Sequence, residues 1–198
     1  AIFEAMRALF LTSRMPYPPD RGDRSRVYHF IRAASLAGHE IHLVTFDIGT
    51  PDAAAIEPLS RHLASVRIVR LPAAVSVFRA MSAGWGARPF QLAYYESGRM
   101  SIAVGEAFAR VRPDLVYTHL FRMAPYALRR ARERCATRVL DLTDVISTEI
   151  RRSLPFRRGP DRWLHAEEAR RIERYERFVA LEFDECWVIS QEEARRLS

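Results

Sequence analysis

Lysine is absent from this sequence of 198 residues: all 31 basic side chains are arginine, set against 24 acidic ones for a formal net charge of +7. A guanidinium is permanently charged and forks onto phosphates and carboxylates, so this balance invites an anionic partner such as nucleic acid, an anionic membrane surface or a phosphorylated substrate. A GC-rich coding sequence produces the same deficit of lysine, and the count alone does not separate the two readings. Cysteine is scarce as well. Cys135 and Cys186 have no metal-ligand spacing to each other or to the six histidines, which points to a reducing compartment, excludes a disulfide-stapled scaffold and argues against a structural zinc. Long apolar runs are missing. Near the N-terminus the longest is Ala8 to Leu11, far short of a signal-peptide core or of the ~20 residues that cross a bilayer, so a cytoplasmic chain without a membrane span is expected. With 48% apolar and 28% charged residues, wholesale disorder and low complexity are excluded, and the length suits one domain with a proper core.

What is present is a strand and helix alternation. Ala1 to Ala5 precede Met6 as an expected extension and do not enter the expected fold. MRALFLTS, residues 6 to 13, is a short apolar run that ends in RMPYPPDRGD, residues 14 to 23, where three prolines and a glycine forbid regular structure. A helix is expected from Asp23, as its cap, through Val27, Phe30, Ile31, Ala34 and Leu36 to Gly38, followed by a second strand, EIHLVTF at 40 to 46. Further helices are expected at 51 to 63, 101 to 111 and 123 to 134, and further strands at 66 to 71, 113 to 119 and 137 to 143. The longest helix pattern runs from Trp163 to Phe183, with the stripe Leu164, Ala169, Ile172, Tyr175 and Val179. On it, Glu167 to Arg171 and Glu173 to Arg177 have the favourable spacing of four. DECWVI, 184 to 189, is a last strand. Six strands separated by helices describe an α/β fold, a Rossmann-like, doubly wound and mostly parallel sheet with helices on both faces, in which ligands bind at the carboxyl ends of the strands. Ser190 and Glu193 form a capping box that opens a helix close to Ser198, so the expectation is the N-terminal part of a longer polypeptide.

Several segments could carry chemistry. Gly22 stands at the mouth of the first helix, where bare amides attract phosphate and Arg21, Arg24 and Arg26 add positive charge; the loop is neither a Walker loop nor a three-glycine dinucleotide fingerprint. The same residues also suit a tight turn with solvated arginines. His119 ends the strand PDLVYTH at the carboxyl edge of the sheet, and Asp141 and Asp144 end the neighbouring strand, Asp144 also being placed to cap a helix from Val145. Residues 75 to 97 are rich in aromatics, among them Phe78, Trp85, Phe90, Tyr94 and Tyr95. Residues 151 to 163, RRSLPFRRGPDRW, set Phe156 and Trp163 among arginines. Such mixtures suit the headgroup layer of an anionic membrane or an amphiphilic acceptor, single-stranded nucleic acid through stacking, or simply a helical hairpin and a solvated basic loop.

Taken in order, the segments at 6 to 46, PDLVYTHLFRMAPYAL at 113 to 128, VLDLTDVIS at 139 to 147 and DECWVISQEEARRL at 184 to 197 resemble the N-terminal domain of GT-B glycosyltransferases. The likeness is to the large retaining group of bacterial polysaccharide and lipid-glycan sugar transferases, family 4-like, and within it the exosortase-linked exopolysaccharide branch. The resemblance implies an acceptor-side Rossmann-like domain over residues 6 to 198, inactive without a separate C-terminal donor-binding domain. It implies transfer of a sugar from a nucleotide-diphosphate sugar co-substrate to a lipid-linked or polysaccharide acceptor, with no metal and no tightly bound cofactor. It also implies roles for residues: His119 beside the transferred sugar, Asp144 orienting a hydroxyl, and Gly22, Asp23 and Arg24 toward the donor diphosphate. Asp23 stands where many members have a second glycine, Tyr117 replaces the first of a histidine pair, and Thr143 replaces a histidine before Asp144. Tyr17, Trp85, Tyr94, Tyr95, Arg157 and Arg158 are the expected contacts to an acceptor or to the inner face of the cell membrane, where the protein would sit peripherally. No nucleic-acid partner is expected on this reading. The alternative is a stand-alone Arg-rich α/β module that binds a phosphorylated ligand or nucleic acid.

Overall fold

A computed structural model describes residues 4–47, 53–82, 86–131, 137–143 and 145–197. Among these, six strands form one parallel sheet: β1 (Arg7–Thr12), β2 (Glu40–Asp47), β3 (Ser65–Arg70), β4 (Leu115–His119), β5 (Thr137–Leu142) and β6 (Glu185–Val188), in the spatial order β3-β2-β1-β4-β5-β6. The direction of strand addition reverses between β1 and β4. A crevice therefore opens beyond the carboxyl ends of these two strands, where doubly wound sheets bind ligands.

The central strands are apolar throughout because both sheet faces are covered, and their side chains alternate between two cores. Leu9, Leu11, Val44, Phe46, Val116, Leu140 and Leu142 point to one face. They pack on α5 (Gly98–Val111), α6 (Ala124–Ala131) and α8 (Gly159–Glu182) through Val104, Phe108, Ala127, Ile172 and Val179. Ala8, Phe10, Ile41, Leu43, Tyr117 and Val139 point to the other face, toward Val27 and Ile31 of α1 (Gly22–Leu36) and Leu59 of α2 (Ala53–Ser60). Each fully buried side chain of this kind contributes roughly 1.5–3 kcal/mol relative to exposure.

Local chemistry sets the element ends. α1 closes on Gly38 at φ 88°, where His39 N–H donates to the Ala34 carbonyl (3.1 Å) and Gly38 N–H to that of Ser35 (3.0 Å), a Schellman closure that favours glycine. Its start differs from expectation: the N-cap is Arg21, without a side-chain cap, and Asp23 lies within the first turn, where its charge faces the helix dipole. α5 begins three residues earlier than its apolar pattern suggests, because Ser97 caps it by accepting from Met100 N–H at 3.3 Å. The aromatic segment holds α3 (Ala73–Ser82) and α4 (Phe90–Tyr94). The basic stretch at 151 to 163 is not one loop: α7 (Ile146–Ser153) and a 3-10 turn (Leu154–Phe156) run into α8, which starts at Gly159 rather than at Trp163. Leu164, expected in the buried stripe of α8, is 44% exposed, whereas Ala169, Ile172 and Val179 are buried. The expected pairs are formed, Arg171 to Glu167 at 2.9 Å and Arg177 to Glu173 at 3.8 Å. A final helix, α9 (Gln191–Leu197), starts at the Ser190 box, with Glu193 N–H donating to Ser190 Oγ at 3.2 Å.

The amino edge of the sheet uses one clamp twice. Asp114, just before β4, accepts from the backbone N–H of Arg7 (2.9 Å) and pairs with its guanidinium (2.9 Å). Asp184, just before β6, does the same for Arg138 at the start of β5, at 2.8 and 2.9 Å. These ties sit opposite the crevice and serve strand register.

Candidate functional site

At the carboxyl edge, β4 ends on His119, which is 4% exposed and lies beside Asp141 in the β4 to β5 register. Its Nε2 is buried without a hydrogen-bond partner, which in a native structure calls for an explanation such as a ligand or water. Burial dominates its titration and pushes it down to about 4, with Asp141 opposing, so the imidazole is neutral near pH 7. The next residue, Leu120, sits at φ 67°, ψ 152°, a backbone region that L side chains rarely adopt and that costs on the order of 1–3 kcal/mol. This strained turn ends β4 and swings the chain into a 3-10 turn (Phe121–Met123) that carries Arg122 to the crevice.

Asp141 lies on the α1 side of β5, fully buried. It accepts from Arg26 Nε (2.8 Å), from Thr143 Oγ1 (3.0 Å) and, through a short bond, from the Tyr117 hydroxyl. Burial and then the Asp141 charge hold the Tyr117 phenol well above its ordinary range, so it remains a donor. Phe30 and Trp187 close over this group, with the Arg26 guanidinium 5.2 Å from the Phe30 ring centre. Tyr117 and Asp141 thus form the polar floor that fixes α1 and its N-terminus over the sheet.

On the opposite side of the crevice is an open cavity of about 450 Å³, lined by Arg14, Phe90, Tyr94, Tyr95, Arg122 and Glu149 among others. Arg14 follows β1; the Thr12 hydroxyl holds the loop by donating to the Arg14 carbonyl at 2.9 Å and sharing a bond with Thr45 at 2.7 Å. Tyr95 is buried, and its backbone carbonyl accepts from the Tyr126 hydroxyl (2.6 Å), which in turn accepts from Ser97 N–H (2.8 Å). Two glutamates of α8 hold the short helices that wall the cavity. Glu168 accepts from the Phe90 (2.8 Å) and Gln91 (3.0 Å) amides at the start of α4. Glu176 accepts from Ile146 N–H (2.9 Å) and Ser147 Oγ (2.6 Å) at the start of α7. Burial pushes the Glu176 carboxyl up to about 7, against the pull of these donors.

The residues singled out from sequence are distributed as follows. His119 and Asp23 reach the same edge, close enough for the Asp23 charge to act on the imidazole. Gly22 opens α1 with nothing within 4 Å of an added Cβ, so packing does not demand glycine there. Arg24 pairs with Asp20 at 3.2 Å. Tyr94 and Tyr95 meet edge to face at 5.2 Å in the cavity wall, while Tyr17 lies elsewhere, packed on Tyr28 at 5.5 Å over the α1 side. Arg157 pairs with Asp161 (2.9 Å) and Arg158 occupies the N-cap position of α8 without a side-chain cap, between the exposed Phe156 (89%) and Trp163 (70%). Asp144, Trp85 and Cys135 lie outside the described residues. Cys186 is an unpaired, half-buried thiol pushed up to about 11 by burial. The sequence reading passed over Arg14, Arg122, Glu168 and Glu176. For the two arginines a signal was present, since each lies two or three residues beyond a strand's carboxyl end.

Among the described residues no cluster of three metal-ligating side chains occurs, and no helix is long and apolar enough to cross a membrane. No family profile and no curated protein matches the chain. Among solved structures, sucrose-phosphate synthase from Thermosynechococcus elongatus aligns with a TM-score of 0.61 at 16% identity, over 96% of this chain. The fold is one half of a GT-B fold. The chain spans 44% of the length of that synthase. UGT2 of Phytolacca americana, solved with UDP-2-fluoro-glucose and pterostilbene, is more distant, with a TM-score of 0.43 and 12% identity over 77% of this chain and 34% of that one.

Proposed function

We propose that this chain is the acceptor-side domain of a glycosyltransferase, moving a sugar from a nucleotide-diphosphate sugar to a lipid-linked or polysaccharide acceptor. The observation that carries the reading is the crevice at the switch point between β1 and β4, where the unpartnered His119 Nε2 stands at the strand end. A neutral imidazole there exchanges a hydrogen bond with a sugar hydroxyl without introducing charge. The strained Leu120 turn holds that ring in place, as expected of a preorganised site. The free amides at the start of α1, beside Gly22, Asp23 and Arg24, would on this reading receive the donor diphosphate presented by the second half of such an enzyme. In this reading Asp144 orients an acceptor hydroxyl, and the exposed Phe156 and Trp163, flanked by Arg157 and Arg158, attach the domain to an anionic membrane surface.

The test is transfer by the chain joined to the donor-binding domain that the reading requires. Radiolabelled sugar should pass from nucleotide-diphosphate donors to membrane or polysaccharide fractions, and His119→Ala should lower the rate about 100-fold or more at unchanged folding. Wild-type transfer rates in that variant would remove His119 from the site. For the isolated chain, salt-sensitive nucleic-acid binding without any saccharide binding would favour the stand-alone module instead. Flotation with anionic liposomes at low salt checks the membrane contact separately.

A further inference from the structure

Arginines that enter the protein's interior here come with a carboxylate: Arg26 with Asp141, Arg138 with Asp184, Arg171 with Glu167. Arg14 and Arg122 do not. Both line the cavity of about 450 Å³, and among the described residues neither forms an ion pair. Arg122 lies partly buried with its guanidinium 5.0 Å above the Tyr95 ring, and its Nε is enclosed without a hydrogen-bond acceptor. A phenol offers a π face and a dipole but no formal charge, and the nearby carboxylates, Asp23 and, in the cavity lining, Glu149, form no ion pair with either guanidinium among the described residues. Burial, reinforced by the nearby Arg14, lowers Arg122 against the opposing pull of Tyr95 and Asp23, whereas for Arg14, less enclosed, burial is outweighed by Tyr95 and Asp23, which hold it above its ordinary range.

We propose that Arg14 and Arg122 form an oxyanion subsite, and that the acceptor bound in this cavity is an anionic saccharide whose phosphate or carboxylate sits between the two guanidiniums. This deepens the acceptor reading and rests on it. The rest of the lining suits the neutral part of such a ligand: Phe90 and Tyr94 offer ring faces to a sugar, and Gln91 with Glu149 offers groups to its hydroxyls. Glu149, an exposed carboxylate on α7, would repel the anionic end, so the ligand is oriented with its charge toward Arg14 and Arg122. The guanidinium forks read phosphate or carboxylate planes at two points.

Titration calorimetry on this chain distinguishes the sources of the anion: glucose, glucose 6-phosphate, glucuronate and inorganic phosphate are compared at low and high salt. Glucose 6-phosphate or glucuronate should bind at least about 10-fold more tightly than glucose, and Arg14→Gln and Arg122→Gln should each weaken that binding by about 10- to 100-fold. Because Arg122→Gln disturbs a packed side chain, the more exposed Arg14→Gln and the charge-keeping Arg122→Lys carry the test, with circular dichroism verifying the fold. Glucose bound as tightly as the charged sugars, or Arg14→Gln with undiminished affinity, would overturn the oxyanion subsite while leaving the acceptor reading in place. Inorganic phosphate bound as tightly as glucose 6-phosphate, with no gain from the sugar, would keep an oxyanion site but overturn its saccharide ligand and the acceptor reading with it.

Discussion

Arg26 on α1 donates from Nε to Oδ2 of Asp141 on β5 at 2.8 Å, joining residues 115 positions apart across β4. Asp141 is fully buried and Arg26 keeps about a third of its side chain exposed. The pair therefore decides where the first helix sits over the carboxyl edge of the sheet. Asp141→Asn keeps the shape but leaves the guanidinium without its charge partner, and should cost about 3 kcal/mol in urea denaturation. Combined with Arg26→Gln in a double-mutant cycle, the coupling should exceed about 1 kcal/mol. Simple additivity of the two losses would show that the ion pair does not hold α1.

His119 and Glu176 give opposite pH dependences that overlap. The imidazole falls from an ordinary 6.5 to about 4, so the unfolded chain binds the extra proton between those values and stability drops as pH falls through the window. The Glu176 carboxyl rises from 4.5 to about 7, so the folded chain binds the extra proton and stability drops as pH rises through its window. Each alone tilts stability by on the order of 3 kcal/mol. Between about pH 4.5 and 6.5 the two slopes cancel, while the ion-paired Asp114 and Asp184, held below the ordinary carboxylate range, titrate lower still. Chemical denaturation at several pH values should find the Glu176→Gln variant gaining stability with pH across that interval, and His119→Gln losing it. Parallel curves for both variants would refute the assignment.

Glu168 caps the start of α4, and α4 walls the cavity. Glu168→Ala leaves the Phe90 and Gln91 amides without acceptors and should cost about 1–2 kcal/mol. Hydrogen exchange at these two amides should accelerate with no comparable change in α5; Glu168→Gln, which keeps an acceptor, should fall between. Unchanged exchange in the alanine variant would mean that packing alone holds α4.

The two amino-edge clamps should differ in strength. Arg138 is 17% exposed in its side chain and Arg7 42%, so water screens the Arg7 to Asp114 pair more. Asp184→Asn should lose about 1 kcal/mol, with Asp114→Asn losing less, and about 1 M salt should shrink both differences in melting temperature. A larger loss for Asp114→Asn would reverse the ranking drawn from exposure.

How much of this was legible in one dimension follows from the range of each interaction. The six strands, the closure at Gly38 and the Glu167 to Arg171 pair are local: apolar periodicity, a left-handed glycine and a spacing of four are all visible within a few residues. The strand pattern also placed His119 at the carboxyl edge, and the resemblance added only its expected role beside the transferred sugar. Tertiary structure alone decided that Glu168 and Glu176 of the long helix are buried caps for two short helices. It also decided that Arg14 and Arg122 share one cavity with Tyr95. The reason is the strand order: β4 returns to lie beside β1 only after two strands have been added on the far side, so residues over 100 positions apart become neighbours at the crevice. Periodicity reports which face of an element is buried; it does not report which distant polar group will meet a helix end or a second arginine there.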